Sequence, residues 1–367
     1  MIKKVRDSNI EVLRILLMLV IVLHHYIVNS PVILAVSDSI AGETIRFFFW
    51  GGYNCIALLL GWGGKTAINC FVLITGWFMC KQEFKWRKLL KLYLEVKLYR
   101  LVIYLIFLIS GYDSFALKEF YKMIFEVAFY LGKGFTSSFI AFYALIPFIN
   151  KLIGVLNRKE QKEHKRLVIA LITVFSIIPT LFLNGFYEYI SWYVTLYLLA
   201  AYLRLYPTRI FDNKRITGFA SIITLLLSWA SVGVIYYMAV YYKQSLNWYW
   251  FVADSNKILA LATAVTIFCF FKNISLGQNR FINTVASSTF GVLLIHASSD
   301  TMRRWLWQDV CKNVWHFQND SLCGFILHAF TCTIAVFSAC ASIDLIRQFI
   351  QKKISGFILC LNKKQSQ

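Results

Sequence analysis

Long apolar runs separated by short polar segments recur along the whole 367-residue chain. A helix of roughly 18 or more apolar residues is long enough to cross about 30 Å of hydrocarbon. The pattern therefore predicts an all-α polytopic integral membrane protein with about ten transmembrane helices. The predicted spans are residues 9–29, 66–82, 92–110, 136–152, 167–184, 189–206, 216–240, 257–271, 285–302 and 323–346.

Two further segments have a mixed pattern. Residues 44–62 are apolar and aromatic but are interrupted by glycines, which predicts an interfacial or re-entrant piece rather than another span. Residues 119–132 carry Glu119, Lys122 and Glu126 at helical spacing and resemble an interfacial helix. Tryptophans and tyrosines near span ends, including Trp248, Tyr249 and Trp307, predict aromatic belts at the membrane surfaces.

Composition supports one membrane domain. Only 15% of the residues are charged, whereas soluble domains carry roughly a quarter. No stretch is polar enough to fold alone in water. We therefore expect a single transmembrane domain over residues 1–350 and a short basic tail over residues 351–367.

The net charge of +20 sets the expected orientation. Lysines and arginines concentrate in alternate connecting segments, and basic segments stay on the cytoplasmic side of a membrane. Both termini are therefore predicted to be cytoplasmic. Because the basic residues are dispersed over many turns, their expected partner is the anionic surface of the lipid bilayer rather than nucleic acid.

The nine cysteines are scattered, mostly within apolar runs. They form no C-x-x-C pair and no metal-ligand spacing, so we predict neither a metal site nor a disulfide framework. No Walker-A loop, dinucleotide fingerprint or G-x-S-x-G elbow occurs. The sequence predicts no bound cofactor.

Ionisable residues form a stripe in the first predicted span. Arg14 and His25 are eleven residues apart, which places them about 20° from a common face and about 16 Å apart along the axis. Glu11 lies within pairing reach of Arg14, whereas His24 is roughly 80° away from it. A polar stripe within a span is expected to line a bundle interior or a wet cavity. Snorkelling of Arg14 and a structural role for His25 are the alternatives.

Two other regions carry candidate chemistry. His296 ends an apolar run, and Asp300 follows at i+4, where the two side chains could hydrogen-bond. After the second span, a basic segment offers Arg87, Lys88 and Lys91 as a landing site for an anionic substrate. The alternative for this segment is simple anchoring at the cytoplasmic surface.

These features resemble the membrane-bound type-3 acyltransferase family of bacteria. The resemblance covers nearly the whole chain and rests on five short matches. They are Arg14 to His25, Cys70–Phe78 with its Thr75-Gly76-Trp77 turn, the basic run Lys81 to Lys91, Phe139–Pro147, and Ser288–His296. Two departures occur: Thr75 stands where a serine is usual, and Arg87-Lys88 replaces an arginine pair.

The resemblance implies an O-acyltransferase of the bacterial plasma membrane. It would move an acetyl or other short acyl group from acyl-CoA to a hydroxyl of a cell-envelope polysaccharide or its lipid-linked precursor. His25 would act as base or transient acyl carrier. Arg14, oriented by Glu11, would supply a donor-side or transition-state contact. Arg87, Lys88 and Lys91 would attract the CoA phosphates, with His296 as a secondary candidate.

Three other functions remain open from the residues. A polysaccharide polymerase also has about ten spans but usually places its catalytic residues in a large external loop, and the external loops here are modest. A precursor flippase or transporter would often show internal repeats, and none is evident. Scaffolding in an assembly complex would make the alignment of Arg14 with His25 accidental.

Overall fold

The computed structural model describes residues 7–40, 52–132, 134–159, 161–182, 186–244 and 246–365. These residues contain helices and no strand. In chain order the helices are α1 (Asn9–Ile27), α2 (Val32–Ile40), α3 (Tyr53–Gly61), α4 (Gly64–Met79), α5 (Trp86–Ile109), α6 (Leu117–Ile124), α7 (Glu126–Phe129), α8 (Phe135–Lys159), α9 (Gln161–Ile172), α10 (Ile178–Leu181), α11 (Tyr189–Leu205), α12 (Lys214–Tyr242), α13 (Ile258–Asn273), α14 (Arg280–Ala286), α15 (Thr289–His296), α16 (Asp300–Arg304), α17 (Asn313–Asn319) and α18 (Leu322–Gln365). Two π-helical stretches, Thr173–Ile177 and Trp305–Val310, precede α10 and α17.

Six stretches among the described residues are long and apolar enough to cross a membrane, which confirms a multi-pass membrane protein. They are Asn9–Ile27, Tyr53–Met79, Phe135–Leu156, Gln161–Leu181, Lys214–Tyr242 and Leu322–Ile354. The other predicted spans also coincide with helices, but with shorter, bent or more charged ones. α11 has 17 residues and α13 has 16, while α5 carries Glu95, Lys97 and Arg100. The count of ten and the orientation stay predictions.

The glycine-rich segment differs from its prediction where it is described. Residues 41–51 lie outside the described part, and α3 continues into α4 as one 27-residue candidate span. The glycines serve packing here. A Cβ atom on Gly64 would lie 2.3 Å from the His24 ring, and one on Gly61 would lie 3.0 Å from Ile27. The missing side chains therefore let this span approach α1 closely.

The ninth predicted span is bent. The stretch Arg280–His296 and the stretch Asp300–Val310 meet at 96°, so residues 285–302 do not form one straight helix. The bend falls between the end of α15 at His296 and the start of α16 at Asp300. Ser299 caps the start of the second helix by accepting a hydrogen bond from the Met302 backbone N–H, and Asp300 is the first residue of that helix.

α1 lies at the centre of the bundle. It packs against α3, α4, α13, α14, α15 and α18. Its buried side chains include Leu13, Val22 and Tyr26.

α12 lies at the periphery and exposes Phe219, Ile222 and other apolar residues, as a lipid-facing helix does. α18 continues as a helix across residue 350, where the sequence predicted the tail to begin.

The aromatic-belt prediction is wrong for three of its residues. Trp307 is fully buried, and Trp248 and Tyr249 are each 7% exposed. Tyr249 donates a hydrogen bond to the Leu58 carbonyl at 2.9 Å. All three rings are buried inside the bundle rather than exposed at a membrane surface.

Gly76 lets α4 come into close contact with α11 in the bundle core. A Cβ atom there would lie 2.8 Å from the Ala200 Cβ and 3.1 Å from the Tyr197 backbone, both on α11. Small residues at such crossings let two membrane helices come into backbone contact.

We expect Gly76→Ala to destabilise the protein by about 1–3 kcal/mol, since the new methyl group would force α4 and α11 apart. The matched control is Gly154→Ala in α8, where a Cβ atom meets nothing within 4 Å. That variant should be neutral or stabilising, because alanine favours a helix over glycine. Thermal unfolding in detergent measures both, and equal effects would contradict this account of Gly76.

Candidate active site

One face of α1 lines a cavity of about 790 Å³. Arg14, Met18 and Ile21 contribute to its wall, and they follow one another at the i, i+4, i+7 spacing of a single helix face. His25 is the next residue on that face. Thr289 and Leu293 of α15 also line the cavity, and His296 is the next residue on that face too. Each helix therefore places a histidine one turn beyond the cavity lining.

The two histidines are hydrogen-bonded to each other. His25 Nδ1 lies 2.9 Å from His296 Nε2, and the ring centroids are 5.0 Å apart. His296 Nδ1 lies 2.6 Å from the Val292 carbonyl oxygen. His296 is fully buried, whereas His25 is half-buried.

These two hydrogen bonds indicate which ring nitrogen of each histidine carries a hydrogen. A carbonyl oxygen only accepts, so His296 Nδ1 carries a hydrogen and donates it to Val292. In the neutral ring His296 Nε2 is then an acceptor, and His25 Nδ1 must donate to it. His25 Nε2 is left with a lone pair. The arrangement resembles the catalytic histidine and its orienting partner in hydrolytic triads, with a second imidazole in the place of the carboxylate.

His24 has a different environment. Its Nδ1 lies 2.5 Å from the Gly61 carbonyl oxygen, its ring packs on Gly64, and it is 6% exposed. The neighbouring histidines of α1 therefore point to different sides of the helix, as the helical angles predict. His24 joins α1 to α3 and α4.

The cavity changes character along its length. Its wall near Ile21 and Leu293 is apolar and includes Phe71, Ile74 and Phe290. Its other wall is charged and carries the side chains of Arg14, Lys91, Glu95, Arg347 and Lys352. Four of these five charges are positive. Such a cavity suits an elongated ligand with an apolar end and an anionic end.

Arg14 and Glu11 form an ion pair across one turn of α1. The distance between Arg14 Nη1 and Glu11 Oε2 is 3.5 Å. The Glu11 side chain is 3% exposed and that of Arg14 is 27% exposed. The buried carboxylate faces the bundle and directs the guanidinium toward the cavity.

A buried ion network stands beside the charged wall. Asp344 is fully buried and accepts hydrogen bonds from Tyr99 at 2.6 Å and from Arg347 Nε at 2.8 Å. Arg347 also donates to Glu95 at 2.9 Å, and Gln348 donates to Asp344 at 2.7 Å. The network joins α5 to α18 and satisfies charges that would be costly to bury alone.

Gly291 makes room for this network. A Cβ atom on Gly291 would lie 2.3 Å from Asp344 Cγ, so any larger residue would displace the carboxylate. The glycine of the Ser288–His296 match therefore brings α15 against α18. This contact fixes the position of α15 along α18, and with it the level in the bundle at which His296 faces His25.

The predicted anion-binding residues separate into two groups. Lys91 lines the cavity, and it makes no ion pair within the described residues. Arg87 and Lys88 are exposed in the first turn of α5 and lie outside the lining. Lys352 of α18 joins Lys91 at the charged wall, which the sequence analysis did not predict.

The predicted pairing of His296 with Asp300 is wrong. Asp300 is 97% exposed and pairs with Arg303 at 2.8 Å, while His296 bonds His25 and Val292. The i+4 rule requires a continuous helix, and the helix ends at His296. Sequence reasoning also missed Asp344 and Arg347, although an aspartate inside an apolar run was a visible signal.

No group of three or more histidine, cysteine or acidic side chains able to hold a metal ion occurs in the part of the chain that the structure describes.

A family model described as an acyltransferase domain matches residues 7–345, nearly the whole chain. The chain belongs to this type-3 acyltransferase family and is a membrane acyltransferase of the O-acyltransferase type. No curated protein and no solved structure matches it.

We expect Asp344→Ala to destabilise the protein by about 3–5 kcal/mol, because it leaves the half-buried Arg347 with one fewer counter-charge. Asp300→Ala is the matched control, since its ion pair is exposed and contributes little. Thermal unfolding in detergent compares the two. A melting temperature for Asp344→Ala equal to that of the control would contradict a structural role for the network.

Proposed function

We propose that this acyltransferase moves a short acyl group, such as acetyl, from acyl-CoA to a hydroxyl of a cell-envelope polysaccharide or its lipid-linked precursor in the bacterial plasma membrane. The observation that carries the proposal is the position of His25. The His25 imidazole is half-buried, and its Nε2 has the lone pair that a base needs. It lies one helical turn beyond the end of a cavity whose far wall carries mainly positive charges. Family membership favours acyl transfer over the polymerase and flippase alternatives.

The cavity suits an acyl-CoA donor. The apolar wall at Ile21 and Leu293 would receive the acyl group and the adjoining part of the pantetheine arm. The phosphates would meet Lys91 and Lys352, and Glu95, which attracts Lys91 on the same wall, already has Arg347 as its ion-pair partner. Arg87 and Lys88 would act only at longer range, because exposed charges are screened beyond about 8 Å in physiological salt.

His25 would act as general base at Nε2. The acceptor hydroxyl attacks the acyl carbonyl carbon while Nε2 takes the hydroxyl proton. The tetrahedral intermediate then expels the CoA sulfur, and His25 returns the proton to it, giving CoA thiol and the acyl ester. His296 is a positioning residue in this scheme, since its Nε2 holds the His25 Nδ1 proton and fixes the tautomer.

Arg14 fits a donor-side role better than a transition-state role. It precedes His25 by three turns, and the helix rise places the two residues about 16 Å apart along the axis. A guanidinium at that distance is too far from the reacting carbonyl to donate to it. Arg14 would instead contact the more distant part of the donor, with Glu11 holding its side chain in place.

The test of the function is mass spectrometry of envelope polysaccharide from cells with the wild-type chain, with His25→Ala, or with no chain. We expect both defective strains to lose an acetyl-sized mass while glycan length is unchanged. A general base contributes about 10²–10⁴-fold to rate, so no modified glycan should accumulate. Membrane abundance of His25→Ala is measured in parallel. Unchanged acylation with a shortened glycan would refute the proposal.

The tautomer assignment gives a separate prediction for His296. His296→Ala should lower kcat about 10-fold to 100-fold, because His25 loses the acceptor that orients it. His296→Gln should recover part of the loss, since its amide oxygen can accept the same hydrogen bond. Acyl-CoA turnover by the purified protein measures both, with the pH–rate profile as a second readout. Equal rates for the two variants, with an unchanged profile, would contradict the positioning role.

A further inference from the structure

A second cavity lies at the other end of α1, and the acyl transfer proposed above leaves it without a role. Its volume is about 610 Å³. It opens between α2, the first turn of α3 and α17, and we call it the α2–α17 cavity. Each of these three helices contributes two of the following lining residues: Leu34, Asp38, Tyr53, Asn54, Phe317 and Gln318.

The α2–α17 cavity lies on the far side of the histidine pair from the charged wall. That wall includes Arg14, near the start of α1, and Lys352, in the second half of α18. The α2–α17 cavity instead begins at Pro31, just after the end of α1, and reaches Phe317, just before the start of α18. His25, in the last turn of α1, therefore lies between the two cavities along the helix. The six residues from His25 to Pro31 can span at most about 20 Å.

Aromatic packing holds one wall of this cavity in place. The rings of Tyr53 and Phe317 meet edge to face, with centroids 5.0 Å apart, and the Tyr53 hydroxyl donates to the His316 carbonyl oxygen at 3.3 Å. The Phe325 ring lies 5.4 Å from each of them. It also lies 6.0 Å from the ring of Tyr26 on α1. A single ring therefore separates this wall from the helix that carries the candidate base.

The lining combines flat rings with amides and a carboxylate. Asn54 is 6% exposed, whereas Gln318 and Asp38 are exposed. Amides both donate and accept hydrogen bonds, and a carboxylate accepts strong ones from hydroxyl groups. The negative face of an aromatic ring attracts the weakly positive C–H groups of a sugar. Asp38 is the one ionised side chain among the described lining residues, so the cavity suits a neutral, hydroxyl-rich ligand rather than an anionic one.

We propose that the α2–α17 cavity is a carbohydrate-binding subsite, which holds a sugar unit of the acceptor glycan near the unit whose hydroxyl reaches His25. Tyr53 would pack against the C–H face of this sugar, and Asp38, Asn54 and Gln318 would bind its hydroxyl groups. The identity of the ligand as the acceptor rests on the proposed function. Donor and acceptor would then approach the histidine pair from opposite ends of α1, and the enzyme would select its acceptor partly by a sugar that it does not modify.

The probe is a set of oligosaccharide fragments of the envelope polysaccharide from cells with no chain, which lack the modification. Isothermal titration calorimetry measures their binding to the purified full chain in detergent, without acyl-CoA. We expect saturable binding to the wild-type chain. Asp38→Ala should weaken it about ten-fold, because a hydrogen bond to a charged group is lost. Ala35→Trp places a large ring at a lining position and should abolish measurable binding.

The matched pair of variants lies on α17. Gln318 and Asn319 are neighbouring exposed amides, and of the two Gln318 lines the cavity. Gln318→Ala should weaken binding about three-fold, since a neutral hydrogen bond is lost, whereas Asn319→Ala should bind as the wild type does. Thermal unfolding shows whether Ala35→Trp is folded. If it is not, the exposed positions Asp38 and Gln318 decide the outcome.

Activity measurements separate this subsite from the proposed function. Asp38→Ala should raise KM for the oligosaccharide about ten-fold and leave KM for acyl-CoA at the wild-type value. Absence of oligosaccharide binding to the wild-type chain would overturn the subsite. Acyl transfer to the glycan with wild-type affinity for it in Asp38→Ala and Gln318→Ala would also overturn the subsite, while the proposed function stands. Binding that these variants weaken, without any acyl transfer by the wild type, would support the subsite and refute the proposed function.

Discussion

The hydrogen bond between His25 and His296 constrains the rest of the candidate site. It requires α1 and α15, which are far apart in the sequence, to place one histidine each at the same depth in the helix bundle. The Val292 carbonyl settles which nitrogen of His296 carries the proton, and this in turn settles the tautomer of His25. The end of α15 at His296 keeps the ring at the helix terminus, where it can face α1. The positions of the protons on both histidines thus follow from the placement of the Val292 carbonyl group.

Charge burial imposes the second constraint. A carboxylate in a membrane bundle is tolerated only when several donors satisfy it. Asp344 meets this condition through Tyr99, Arg347 and Gln348. Because Gly291 admits the carboxylate against α15, the same contact positions the helix that carries His296. Stability and the geometry of the candidate site are therefore linked through one ion network.

Much of the central helix could be predicted from sequence because it depends on local geometry. The eleven-residue spacing of Arg14 and His25 is independent of the rest of the fold. The partner of His25 lies 271 residues away, and no periodicity predicts such a contact. The pairing of His296 with Asp300 failed because the i+4 rule assumes an unbroken helix. The helices α11 and α13, with 17 and 16 residues, coincide with predicted spans but are too short to be counted as spans by length alone.

The length of α18 has a consequence for the charged wall. Its candidate span Leu322–Ile354 has 33 residues and is therefore about 50 Å long, well beyond the roughly 30 Å hydrocarbon core. In the predicted orientation its last turns, with Lys352, stand among the cytoplasmic lipid headgroups. Anionic headgroups are then direct competitors of any anionic ligand for this lysine. The lipid composition of the inner leaflet becomes a determinant of how readily the cavity is filled.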